Sequence, residues 1–196
     1  MYHDGSRSLQ DRFDSRRIAD RLVEVLHRVR FTPEDREFIE SRSMLFLATA
    51  DAAGRPDCSY KGGQPGFIRV ISEDTLAFPS YDGNGMFKSL GNVLRNPNVG
   101  LLLMDFEKPR RLRVNGVASI DFADPLLASF EGAQVVVRVR ADHVFPNCPR
   151  YIHRMSLEEI SVYSPADGHV PPVPAWKEME AFRDHLPGAG RDEPAK

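Results

Sequence analysis

Residues 79–89, "PSYDGNGMFKS", gather the residue types that bind a phosphate. Gly83 and Gly85 permit the backbone angles of a tight turn, Ser80 and Ser89 offer hydroxyls, and Lys88 sits in the first turn of a predicted helix. Converging N–H groups, the positive end of a helix and a cation making charge-assisted hydrogen bonds are what a dianionic phosphate requires. The same residues also suit a glycine-rich hairpin connection that binds nothing, and the segment alone leaves both readings open. Gly83, Lys88 and Ser89 approach the spacing of a Walker A loop. Phe87 stands where that loop needs glycine, and the surrounding pattern is not βαβ, so an NTPase is not expected.

Other reactive groups are sparse. Cys58 and Cys148 are too few and too far apart for a disulfide framework or a CxxC knuckle, and are read as reduced thiols. His143 lies near Cys148, but no second Cys/His pair completes a tetrahedral zinc set, and no metal site is expected. No catalytic triad or carboxylate pair is recognisable. Chemistry carried by a bound cofactor is compatible with that absence.

The elements that must position these residues follow from periodicity. Asp14 or Ser15 can cap a helix in which Ile18, Leu22, Val25, Leu26 and Val29 share one face, expected to pack on the rest of the chain. Thr32, Pro33, Glu34 and Asp35 start a second helix that delivers Phe38 and Ile39 to a core. From residue 44 the pattern becomes short apolar or alternating runs broken by turns: "MLFLATA", "DCSYKG", "FIRVIS", "TLAFPS", "VGLLLMDF", "RRLRVNGVASI" and "AQVVVRVRADHVF". Only "MFKSLGNVLRN" interrupts them as a helix, of about three turns, stopped by Asn96-Pro97-Asn98. Six or seven short strands with few helices predict an α+β, mainly β fold whose antiparallel sheet curls into a small barrel.

Three regions are expected: residues 1–42 as N-terminal helices packing on the barrel, 43–163 as the barrel, and 164–196 as a Pro-rich linker, a short helix over 176–185 and a polar tail read as disordered. The 196 residues are 41% hydrophobic and 28% charged, with a formal charge of -2, which gives no global attraction to nucleic acid or anionic membrane. No run reaches the about 18 apolar residues of a membrane span, and the charged start lacks the apolar core of a signal peptide, so a cytoplasmic location is expected.

The ordered series "FIESRSMLFLATADAAGRPDCS", "TLAFPSYDGNGMFKSLGNVLRNPNVGLLLMDF" and "RRLRVNGVASI" resembles the pyridoxamine 5′-phosphate oxidase-like flavoproteins, from about residue 38 to about 120. "FPNCPRYIHRM" is similar to an uncharacterised branch of that family, in which the stretch either lines the cofactor cleft or is a loop wedged by Pro146 and Pro149. The resemblance implies an antiparallel Greek-key split β-barrel that works as a homodimer, with FMN in a cleft at the subunit interface. It nominates Lys61, Ser80, Asn84, Lys88, Ser89 and Arg111 as cofactor-binding residues, and Tyr60 and Phe87 either as neighbours of the flavin ring or as core aromatics.

What the resemblance implies about activity is an FMN-dependent oxidoreductase acting on a small substrate. The Arg-x-His substrate motif of true pyridoxamine 5′-phosphate oxidases is missing from "NCPRYIHRMSLEEISVYSPADGH", so vitamin B6 oxidation is not implied. A deazaflavin- or haem-binding member of the same fold and a non-enzymatic flavin-binding module are the alternatives. Haem would need His143 or His153 aimed into the cleft.

Overall fold

The computed structural model describes residues 1–189, and the predicted polar tail from residue 190 lies outside them. Its centre is one seven-stranded antiparallel sheet, made of β1 (Met44–Ala50), β2 (Pro56–Gly62), β3 (Arg69–Val70), β4 (Thr75–Tyr81), β5 (Asn98–Asp105), β6 (Arg110–Asp121) and β7 (Ala133–Pro146). The strand order β2-β1-β5-β6-β7-β4-β3 curls the sheet into a barrel wall that does not close. β2 lies at one edge. At the other, two-residue β3 pairs with β4 only through Ala77 and Leu76, so the end of β4 toward Tyr81 has a ladder partner on one side.

The alternation read from sequence sets which face is inward. Leu45, Leu47, Leu101, Leu103, Leu112 and Val114 are buried on one face and meet Leu76, Phe78, Val137 and Val139 from across the barrel. Gly116 makes the close approach of β6 to β7 possible. A Cβ there would lie 2.0 Å from the Arg140 carbonyl oxygen, where the pairing steps from Asn115↔His143 to Gly116↔Ala141. Asp142 is the extra residue of that bulge.

The described residues also form five α-helices: α1 (Asp4–Arg12), α2 (Arg16–Leu26), α3 (Pro33–Glu40), α4 (Lys88–Arg95) and α5 (Glu180–Arg183). α3 starts as its sequence dictates, with the Thr32 hydroxyl accepting from the Asp35 N–H and Asp35 accepting from the Thr32 N–H. Phe38 and Ile39 from α3 are buried in the core.

α2 departs from expectation. It has the expected apolar stripe, but Ile18, Leu22 and Val25 are all about half exposed, Val29 lies beyond the helix end, and Ala19 is its only buried residue. The region is tied to the barrel at its C-terminal end instead. Arg28 bridges Val144, its guanidinium pairs with Asp35 at 2.7 Å, and His27 Nε2 lies 2.6 Å from His143 Nδ1. "FIRVIS" yields only two strand residues, and "MFKSLGNVLRN" forms helix from Lys88 rather than Met86. Residues 176–185 form a 3-10 turn, Ala175–Glu178, followed by α5. No helix of the described residues is long and apolar enough to cross a membrane.

Candidate functional site

The opening in the barrel wall is the candidate site. Where β2 and the end of β4 face one another without a hydrogen-bond ladder, a groove of about 1040 Å³ runs between them, and residues 82–87 connect β4 to α4 along its floor. β2 contributes Asp57, Ser59 and Lys61, which alternate inward and are half-buried, while Cys58 and Tyr60 between them are exposed. β4 contributes Ser80 and Tyr81.

Asn84 Oδ1 accepts the Met86 N–H at 3.0 Å, closing a small turn, and Gly85 takes φ +75. Phe87 is held at φ +46, a conformation that a bulky residue adopts only when its surroundings enforce it. That residue is the N-cap of α4, and no side chain caps the helix. The first-turn N–H groups therefore have no intrahelical acceptor, and the positive end of the helix dipole opens on the groove. α4 is docked by Asn92, which donates to the Thr49 hydroxyl at 3.0 Å.

Around this helix start the polar groups converge. Ser89 is 6% exposed, its Oγ is 2.9 Å from Ser59 Oγ, and it donates to Asp57 Oδ2 at 3.2 Å. Burial disfavours the charged form of Lys61 and lowers its pKa from the ordinary lysine value, against a smaller opposing pull from Asp57. Lys88 is exposed at the groove mouth. The far wall comes from the C-terminal segment. Trp176, Lys177, Phe182 and His185 line the groove, and Lys177 Nζ pairs with Asp82 in the loop.

Five of the six nominated residues, Lys61, Ser80, Asn84, Lys88 and Ser89, thus line one groove. Arg111 lies elsewhere, on the outer face of β6, donating to the Cys148 carbonyl at 2.8 Å. Phe87 lines the groove; Tyr60 instead sits edge-on to Phe46 on the outer face of the sheet. His143 is engaged with His27, and neither it nor His153 lines the groove. Cys148 is exposed and free, as is Cys58.

Sequence reading missed Ser59, although its spacing of two from Lys61 on a strand puts both on one face. It also missed the far wall, for which no local signal exists: Lys177 meets Asp82 across 95 residues of chain.

Comparison with known proteins adds three findings. A family described as pyridoxamine 5′-phosphate oxidase matches residues 31–162, more than half of the chain. Nothing matches among curated proteins. Among solved structures, HupZ of Group A Streptococcus is 17% identical over 64% of this chain and 99% of its own, with a TM-score of 0.49. An FMN-binding protein of Syntrophomonas wolfei is 15% identical over 72% of this chain and 96% of its own, with a TM-score of 0.44. HutZ, the haem storage protein of Vibrio cholerae, is 22% identical over 58% of this chain and 91% of its own, with a TM-score of 0.43.

Proposed function

The chain belongs to the pyridoxamine 5′-phosphate oxidase family, and from that premise we propose that the groove between β2 and β4 holds FMN and that the protein is an FMN-dependent oxidoreductase of a small substrate. One observation carries the reading. The uncapped start of α4 opens on the same groove as Lys61, Lys88 and Ser59, which is the donor set that a terminal phosphate needs. A second supports it: a lysine whose charge is disfavoured by burial regains a favourable environment when an anion is placed beside it.

In this reading Lys61, Lys88, the hydroxyls of Ser59 and Ser80 and the N–H groups at the start of α4 hold the phosphate, the Ser89 hydroxyl stays on Asp57, and Asn84 fixes the loop that presents the helix start. Bound FMN supplies two-electron redox chemistry, accepting or donating a hydride. The chain's own residues bind and orient. The wall formed by Trp176, Phe182 and Leu186 keeps water from one side of the groove.

The homodimer is part of the same proposal. A band of half-buried or exposed side chains, Tyr60, Phe46, Leu102 and Phe145, crosses the outer face of the sheet, with Arg113 over the Phe145 ring. In this reading a second copy covers that band, and light scattering of the purified protein tests it through a dimer mass. A cytoplasmic location completes the reading, in keeping with two free, exposed thiols.

A second reading has one observation in its favour. His185 lines the groove, and a haem occupant would use that imidazole as an axial ligand. The deciding measurement is the visible spectrum of the freshly purified protein, with mass spectrometry of any small molecule released by heat. Flavin bands with released FMN support the first reading. A Soret band sensitive to His185→Ala supports the second, and a colourless protein that takes up neither molecule sinks both.

A further inference from the structure

The groove carries two carboxylates, Asp57 and Asp82, beside a helix start suited to an anion. Either would oppose a phosphate there unless its charge is compensated. Asp57 accepts the Ser89 hydroxyl and lies near Lys61. Asp82, in the loop itself, is met by Lys177 from the C-terminal segment and by Gln134 Nε2 at 3.5 Å. Lys177 is well covered, with 23% of its side chain exposed, whereas Asp82 is 57% exposed.

The segment that delivers Lys177 is short and self-organised. The Lys177 N–H donates to the Pro174 carbonyl at 2.9 Å, the ammonium sits 5.8 Å from the Trp176 ring centre, and Trp176 meets Phe182 edge-on at 6.1 Å. Trp176, Phe182, His185, Leu186 and Pro187 face the groove together. None of these residues falls within the matched range 31–162.

Resting on the flavin reading, we propose that residues 175–187 are a removable wall that makes the groove selective for a phosphorylated ligand, because Lys177 neutralises Asp82 at the phosphate end. The wall is held to the loop by an ion pair whose acid is largely exposed, a class of contact that contributes little on its own. It opens to admit the ligand and, closed, removes the one carboxylate of the loop from the electrostatic balance. A wall that only covered the groove would favour phosphorylated and unphosphorylated flavins alike. Neutralisation of Asp82 favours the phosphorylated one.

The experiment is a set of flavin fluorescence titrations with FMN and with riboflavin on the full chain, Lys177→Ala, Asp82→Asn and the double variant. Lys177→Ala is expected to weaken FMN binding roughly five- to tenfold, the change for one unit charge uncovered near a dianion in largely aqueous dielectric. Riboflavin binding is expected to stay within about twofold. Adding Asp82→Asn to Lys177→Ala is expected to restore FMN affinity, which loss of a mere cover could not do. Equal FMN affinity for the full chain and Lys177→Ala overturns this inference and leaves the flavin reading standing. So does a parallel loss of FMN and riboflavin, or a loss that Asp82→Asn fails to relieve. A full chain that binds neither flavin overturns both.

Discussion

Replacing Lys61 by methionine separates a binding lysine from a structural one, because the two roles predict opposite changes. Methionine keeps the apolar stem that lies along β2 and removes the ammonium. If Lys61 donates to the FMN phosphate, the variant loses one charge-assisted hydrogen bond, worth about 1.5–3 kcal/mol, or roughly 10- to 150-fold in Kd. Riboflavin, which lacks the phosphate, should bind as before. The effect on the ligand-free fold runs the other way. Burial already disfavours the Lys61 charge, so removing that charge should leave the melting temperature unchanged or raise it.

A pH series supplies a second arm. The pKa of Lys61 without ligand lies below the ordinary 10.5, and an adjacent anion raises it again, so binding takes up a proton at alkaline pH. Affinity should therefore be flat near neutrality and fall as pH rises through the lowered value, a decline that Lys61→Met should not show. An unchanged FMN affinity would remove Lys61 from the site. A fall in affinity matched by a fall in melting temperature would show a structural role and refute the reasoning.

Two further outcomes are expected from features outside the groove. Gly116→Ala would place a methyl group against the Arg140 carbonyl, 2.0 Å from its oxygen, and since backbone on both strands must shift, the loss should reach about 3 kcal/mol or more, lowering the melting temperature by roughly 6–12 °C; a drop under about 2 °C would mean that the bulge yields freely. The pKa of His27 is lowered from 6.5 by burial, then by His143 and the N-terminal amino group; the unfolded chain thus binds its proton first, and the stability this contact contributes is intact above pH 6.5 and lost as pH falls below it. Protection factors of the amides in α1 and α2, corrected for the intrinsic exchange rate at each pH, should fall on acidification, and His143→Gln should flatten that dependence; protection indifferent to pH in both proteins would exclude the pair as the tie.

Legibility from sequence followed the range of the interactions. The start of α3 is written in four consecutive residues, Thr32 to Asp35, and the helix begins there as read, with a capping box that the structure adds. The inward alternation of β6 is equally local, whereas Lys61 is nominated by the family resemblance, and the structure puts it on a strand lining the groove. Pro79 inside β4 is tolerated because that end of the strand is paired on one side only, which depends on where β3 stops. α2 shows the limit. Its spacing states that one face is apolar but not what covers it, and among the described residues Ile18, Leu22 and Val25 stay about half exposed. The Lys177 to Asp82 contact is the extreme case, since no pattern near either residue refers to the other.

The unclosed wall has a mechanical consequence. Elsewhere in the sheet, strand separation is fixed by a hydrogen-bond ladder, and changing it means breaking bonds. Between β2 and the end of β4 no ladder spans the gap, so its width is set by side chains and by whatever fills it. The barrel is therefore stiff around most of its circumference and compliant along one seam. Its width can change with the register of every strand unchanged.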